Sequence, residues 1–264
     1  MSASFEAFDP SDVTREITFG QAKAVVFRNK AAMAIAAANA IAVEMRRAAL
    51  MKPSIRMVFA AAPSQSEVLN ALTKIPNLPW DQVVAFHMDD YLELPAEAPQ
   101  RFANWLESHL FSKVPLAKVN RIPTLGSPDE ICQTYADKLA EAPIDIICLG
   151  IGVNGHIAFN DPPAAIFKDS LSVKVVELDD VCRQQQVDDG CFLSINAVPV
   201  RAVTLTIPRL LDASTLLCAV PGVHKRAAVQ ATVAGPLSTD CPASILRTHG
   251  NCTLFLDSEA DPNG

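Results

Sequence analysis

Apolar runs of four to seven residues alternate along the chain with longer segments of helical periodicity. Residues 55–61, 83–87 and 144–149 are nearly continuous in Val, Ile, Met, Phe, Ala and Leu, the pattern of strands buried on both faces. Residues 173–177, 203–206, 215–219 and 253–256 are also strand-like. Between them, residues 30–50 (Ala-rich), 66–74, 102–111, 129–141, 223–233 and 243–248 read as helices. Strands interleaved with helices predict an α/β fold with a mainly parallel sheet and helices on both faces. There are no internal repeats, low-complexity stretches or long linkers, and residues 1–264 are expected to form one domain. In such a sheet the strand ends at Ala61, His87 and Gly150 lie on one edge, where open α/β folds bind ligands.

Composition narrows the class. Half the residues are hydrophobic, 19% are charged, and the net charge is −7. That balance argues against nucleic-acid binding, although one local basic pocket suffices for a small anionic substrate. The seven cysteines are scattered, odd in number and without a CxxC pair, as expected of reduced thiols in a cytoplasmic protein. The start, MSASFEAFDPSD, has neither the basic region nor the apolar core of a signal peptide. The apolar stretch 31–43 is too short for a membrane span, so no membrane partner is expected. The helix over 30–50 suits either a sheet cover or the interface of a homo-oligomer, and burial distinguishes the two.

The candidate chemistry gathers after the strand ends. LGIGVNGHIAFNDPP (149–163) closes an apolar run with Gly150, Gly152 and Gly155, then presents Asn154, His156, Asn160 and Asp161 within eight residues. The glycines allow a tight turn and close ligand approach. His156 is a candidate acid/base group whose tautomer Asn154 or Asp161 can fix. No second His or Cys sits at ligand spacing, so no metal is expected. In FHMDDY (86–91), Asp89 and Asp90 follow a strand: one suits proton transfer at carbon, and both also suit capping a turn. AAPSQS (61–66) joins a strand to a helix. Ser64, Gln65 and Ser66 can donate to a phosphate held at the helix N-terminus, or simply cap it. PGVHKR (221–226) repeats that layout with Lys225, an anion partner or a solvated cation. Arg183 in CRQQQ (182–186) is a surface helix residue, or a phosphate ligand if its segment folds over a pocket.

FHMDDYLELP (86–95) resembles the F-x-M-D-E-Y-x-x-L motif of the glucosamine-6-phosphate deaminase (isomerase) family. GIGVNGHIAFNDPP (150–163) resembles its G-x-G-x-N/D-G-H-I-A/G-F-N-E-P motif. TLTIPRLLDA (204–213) and PASILRTH (242–249) are similar to later segments, so the resemblance runs from about Ile55 to Asp257. It implies a Rossmann-like sheet and a reaction without metal or cofactor: ring opening of an amino-sugar 6-phosphate, isomerisation, and release of ammonia to leave a ketose phosphate. By motif position Asp89 is the base between C2 and C1, and His156 opens the ring with Asn154 and Asp161. Asp90, Tyr91, Gly152 and Gly155 then help form the pocket, and Lys225 holds the phosphate. The chain departs from the pattern at AAPSQS, where the family has Gly-Gly-Ser/Thr-Pro. It also carries Asp161 for the family's glutamate, so a relay to His156 is expected to need a backbone shift or a water. Arg183 is the candidate replacement for a missing phosphate arginine. The sister family, the 6-phosphogluconolactonases, usually follows the histidine with Thr-Ala-Ser-Leu-Phe-Pro. Ile157-Ala158-Phe159-Asn160-Asp161-Pro162 favours the deaminase. A non-catalytic sugar-phosphate sensor would need neither Asp89 nor His156.

Overall fold

The computed structural model describes residues 8–264. In chain order it contains β1 (Val13–Phe19), β2 (Ala22–Phe27), α1 (Lys30–Met51), β3 (Ile55–Phe59), α2 (Ser66–Lys74), β4 (Val83–His87), β5 (Asp89–Tyr91), α3 (Phe102–His109) and β6 (Lys118–Val119). There follow α4 (Pro128–Ala140), β7 (Ile146–Leu149), β8 (Val173–Glu177), α5 (Asp180–Asp188), β9 (Arg201–Leu205), α6 (Ile207–Leu211), β10 (Thr215–Val220), α7 (Arg226–Ala234) and β11 (Cys252–Asp257).

Eight strands form the main sheet in the order β1-β2-β11-β10-β7-β3-β4-β6. Only the β1–β2 hairpin, which turns at Gly20, is antiparallel; the other pairings are parallel. Side chains alternate between two cores. Met57 and Phe59 of β3, Ile146 and Cys148 of β7, and Leu217 and Ala219 of β10 face α1, α2 and α3. Val58, Ile147, Leu149, Leu216 and Cys218 face α4, α6 and α7. Both faces are therefore covered, which explains why the central strands read as continuous apolar runs. In α1, nine residues are buried, six of them alanines, so the helix lies close against the sheet as a cover. The Asn29 side chain starts α1 by accepting the Ala32 amide.

Several expected elements differ. The helix expected over 223–233 opens as a 3-10 turn at Val223–Lys225, and the one over 243–248 is a 3-10 helix, Pro242–Thr248. The strands over 173–177 and 203–206 do not join the parallel sheet. With β5 they form a separate antiparallel sheet, β5-β9-β8. Asp89 is thus the first residue of a strand in a second sheet, two residues beyond the end of β4.

Candidate active site

β3, β4 and β7 are neighbours that end level with one another: Phe59 pairs with His87 on one side and Cys148 on the other. Their exits converge with the β10 exit on one pocket. Ser64 and Gln65 come from the β3 loop, Asp89 from the β4–β5 break, Gly152 and His156 from the β7 loop, and Lys225 from the turn after β10. Gln185 and Gln186 of α5, with Phe102 of α3, complete the wall.

Asp89 is 5% exposed. Burial pushes its carboxyl well above the ordinary range, and the neighbouring carboxylates of Asp90 and Asp161 push it further. A group so placed ionises reluctantly and is a stronger base than a free aspartate when it does. Its backbone is braced by a histidine that the sequence reading did not use. Burial lowers the pKa of His87 and keeps it neutral. Its Nε2 accepts the Ile122 amide at 2.9 Å, so its Nδ1 donates to the Asp89 carbonyl at 2.9 Å.

His156 is held from one side only. Its Nδ1 lies 2.7 Å from Asn154 Oδ1 and 3.0 Å from Asp161 Oδ1. Both are acceptors, so Nδ1 carries the proton and Nε2 is left bare as a base. Asn154 works as a clamp: its Oδ1 also accepts the His156 amide, and its Nδ2 donates to Asp161 and Asp179. Burial raises the Asp161 pKa, but the His156 and Asn154 hydrogen bonds outweigh it and hold the group low, hence ionised. The expected backbone shift or bridging water is not needed, because the shorter aspartate reaches the imidazole directly. Gly152 makes room for this ring: a Cβ there would lie 2.1–2.4 Å from three imidazole atoms.

Lys225 is 3% exposed and makes no ion pair among the described residues. Burial lowers its pKa to about 8, partly opposed by Asp189. It stands where the 3-10 turn Val223–Lys225 passes into α7, at the positive end of the helix dipole. A buried, unpaired cation beside a helix N-terminus is suited to holding an anion.

Several other expected site residues fall outside the pocket. Arg183 does not reach it: its guanidinium donates to the Ile195 and Val198 carbonyls and pairs with Asp180, tying α5 to the following loop. Asp90 is fully buried behind the site. It accepts the Tyr91, Phe102 and Ala103 amides and pairs with Arg101, anchoring the start of α3. Tyr91 is enclosed by Phe102, Phe159 and Phe192. Ser66 is the first residue of α2 and does not line the cavity. Gly155 shapes the loop instead, with φ of +82° and its Cα packed against Cys241. Gln65 lines the pocket with the opposite polarity to that expected. Its Nε2 is spent on the Ala219 carbonyl and Ser64 Oγ, which leaves its Oε1 as the atom available to a ligand.

His156, Asp161 and Cys182 form a group of potential metal ligands, with donor atoms within 4.8 Å of one another. The His156 and Asp161 donors already bond to each other, an arrangement for relaying a proton rather than for coordination.

A buried carboxyl, a one-sided imidazole and a buried lysine gather on a Rossmann-like sheet edge, an arrangement suited to proton transfer on a small anion. The profile of the glucosamine-6-phosphate isomerases/6-phosphogluconolactonase family matches residues 28–255, and the chain belongs to that family. It is 31% identical over 221 residues to a glucosamine-6-phosphate deaminase of Listeria monocytogenes, covering 83% of this chain and 92% of that one. It is 34% identical over 186 residues to one of Lactobacillus delbrueckii subsp. bulgaricus, covering 69% and 76%. A solved monomeric glucosamine-6-phosphate deaminase superposes with a TM-score of 0.81 at 26% identity, over 90% of this chain and 98% of that one. A 6-phosphogluconolactonase from Thermotoga maritima shares the fold, with a TM-score of 0.73 at 19% identity over 89% and 99%.

Proposed function

We propose that the chain is an aldose–ketose isomerase and deaminase that converts glucosamine 6-phosphate, or a closely related amino-sugar phosphate, to fructose 6-phosphate and ammonia. The observation that carries this reading is the pairing of a buried base, Asp89, with an imidazole whose only free nitrogen is Nε2. His156 Nε2 takes the anomeric hydroxyl proton and delivers it to the ring oxygen, so the bond from C1 to the ring oxygen breaks and the C1 carbonyl forms. Asp89 then removes the C2 proton. The electron pair left at C2 forms the C1=C2 bond of an enolamine while the C1 oxygen takes a proton from solvent, which the later addition of water at C2 gives back. The same carboxyl returns its proton to C1 and leaves an iminium at C2. Water adds there and ammonia departs, giving the ketose. Lys225 holds the 6-phosphate throughout. All seven cysteines are free, consistent with a cytoplasmic setting. Among the described residues, no helix is long and apolar enough to cross a membrane.

The deciding assay is ammonia release from glucosamine 6-phosphate, with galactosamine 6-phosphate in parallel. Stoichiometric ammonia and ketose phosphate support the reading. Hydrolysis of 6-phosphogluconolactone with no ammonia from either amino sugar would replace it with a lactonase.

Lys225→Ala is expected to raise KM for the phosphorylated substrate by ~10–100-fold with a smaller effect on kcat, since a hydrogen bond to a charged group is worth ~1.5–3 kcal/mol. In the intact enzyme the charged form of Lys225 is lost as pH rises through about 8. KM is therefore expected to climb above that pH, and the climb to be absent from the alanine variant. An unchanged KM in Lys225→Ala would locate the phosphate elsewhere.

A further inference from the structure

Gln186 is a buried, pocket-lining side chain that the reaction above leaves without a role. We infer that Gln186 determines substrate specificity by donating a hydrogen bond from its side-chain amide to a sugar hydroxyl oxygen, in an orientation locked by Tyr91. The inference rests on a sugar phosphate occupying this pocket.

The lock follows from Tyr91. Its hydroxyl donates to Gln186 Oε1 at 3.0 Å, its only hydrogen bond among the described residues. The phenol is 1% exposed, and burial keeps it protonated, so it is a donor at any physiological pH. Gln186 Oε1 is thereby the acceptor, and its NH2 group is turned the other way. That NH2 has no partner among the described residues, although Gln186 is only 7% exposed. The amide nitrogen itself keeps access to the cavity, so a ligand oxygen can take the place of water on its N–H groups.

The neighbouring glutamines make the assignment specific. Gln185 accepts the Val153 amide and donates to Asp189, so both ends of its side chain are used. Gln65 offers only an acceptor. Of the three glutamines that line the pocket, Gln186 alone has a free amide donor of fixed orientation, beside the apolar walls of Phe102 and Phe159. An uncharged donor in an apolar wall matches a hydroxyl oxygen, while the phosphate has Lys225. A site with a committed buried donor rejects a ligand lacking its partner far better than a shaped apolar wall does.

The test uses the intact protein and 2-amino-2-deoxyglucitol 6-phosphate, an open-chain analogue that cannot turn over, with binding read by calorimetry. Kinetics with glucosamine 6-phosphate and its 3-deoxy and 4-deoxy forms run alongside. Gln186→Leu is expected to weaken analogue binding on the order of tenfold, and Gln186→Glu at least as much. One deoxy substrate should lose on the order of tenfold in kcat/KM with the wild type and almost nothing with Gln186→Leu. Tyr91→Phe, which frees the amide to rotate, should lower discrimination between that deoxy substrate and the parent. Wild-type binding with equal affinity in both Gln186 variants, and equal deoxy penalties in all proteins, would overturn the inference. Failure of the wild type to bind any of these sugar phosphates would overturn the pocket reading, and this assignment with it.

Discussion

Asp89→Asn is expected to reduce kcat by ~10³-fold while leaving KM close to the wild-type value. Asparagine keeps the shape and cannot accept a proton from carbon, and a positioned general base contributes ~10²–10⁴-fold. Exchange of the C2 hydrogen with deuterium oxide should vanish in the same variant. Undiminished turnover would remove Asp89 from the mechanism. The wild-type kcat/KM should also fall on acidification at a pH above the ordinary aspartate value of 3.8, because Asp89 must be ionised to act and burial raises its pKa. The same shift predicts a stability change of opposite sense. A carboxyl whose pKa is higher in the folded chain than in the unfolded one favours folding at low pH and loses that benefit as pH rises through the folded value. At neutral pH the ionised group is therefore a net cost. Asp89→Asn should melt higher than the wild type there, and the advantage should shrink as pH falls toward 3.8. A lower melting temperature at neutral pH would contradict the burial argument even if activity were lost.

Gly152→Ala is expected to lower kcat/KM on the order of a hundredfold without altering any ionisable group. Gly152 does not have a positive φ, so the backbone accepts alanine without strain. The obstacle is the imidazole, three of whose atoms lie 2.1–2.4 Å from the new methyl. His156 must swing away and break its bonds to Asn154 and Asp161. Acid–base catalysis is sensitive to such a displacement. Combining Gly152→Ala with His156→Gln should add little further loss, since both remove one imidazole function. Full activity in the single variant, or losses that multiply in the pair, would show that ring position and catalysis are independent.

The legibility of this chain largely follows burial, although β2, buried at five of its six positions, is not among the strands its sequence suggests. β3, β4, β7 and β10 were readable because both faces are covered, and β11 likewise. β1 was not readable, because most of its residues are exposed and its edge position leaves no apolar run. β5 has only three residues, two of them aspartates, and its strand character comes from pairing with β9, 115 positions away at Asp89–Thr204. Asp89, His156 and Lys225 could be found because strand ends display polar groups on one edge. The sequence singles out Arg183 and gives no sign of Gln186. Charge suggested the arginine, but the phase of α5 turns it to backbone carbonyls and turns the glutamine inward. A run of glutamines resembles a solvated helix until that phase is known.

The bond from the Val153 amide to Gln185 Oε1 spans the β7 loop and α5. Because Gln186 and the Asp189 side chain that meets Gln185 ride on the same short segment, α5 cannot lift from the glycine loop without releasing this one amide. Hydrogen exchange at Val153 is thus a built-in gauge of how often the binding chamber opens. Slower exchange at that single position with ligand present would time the opening directly.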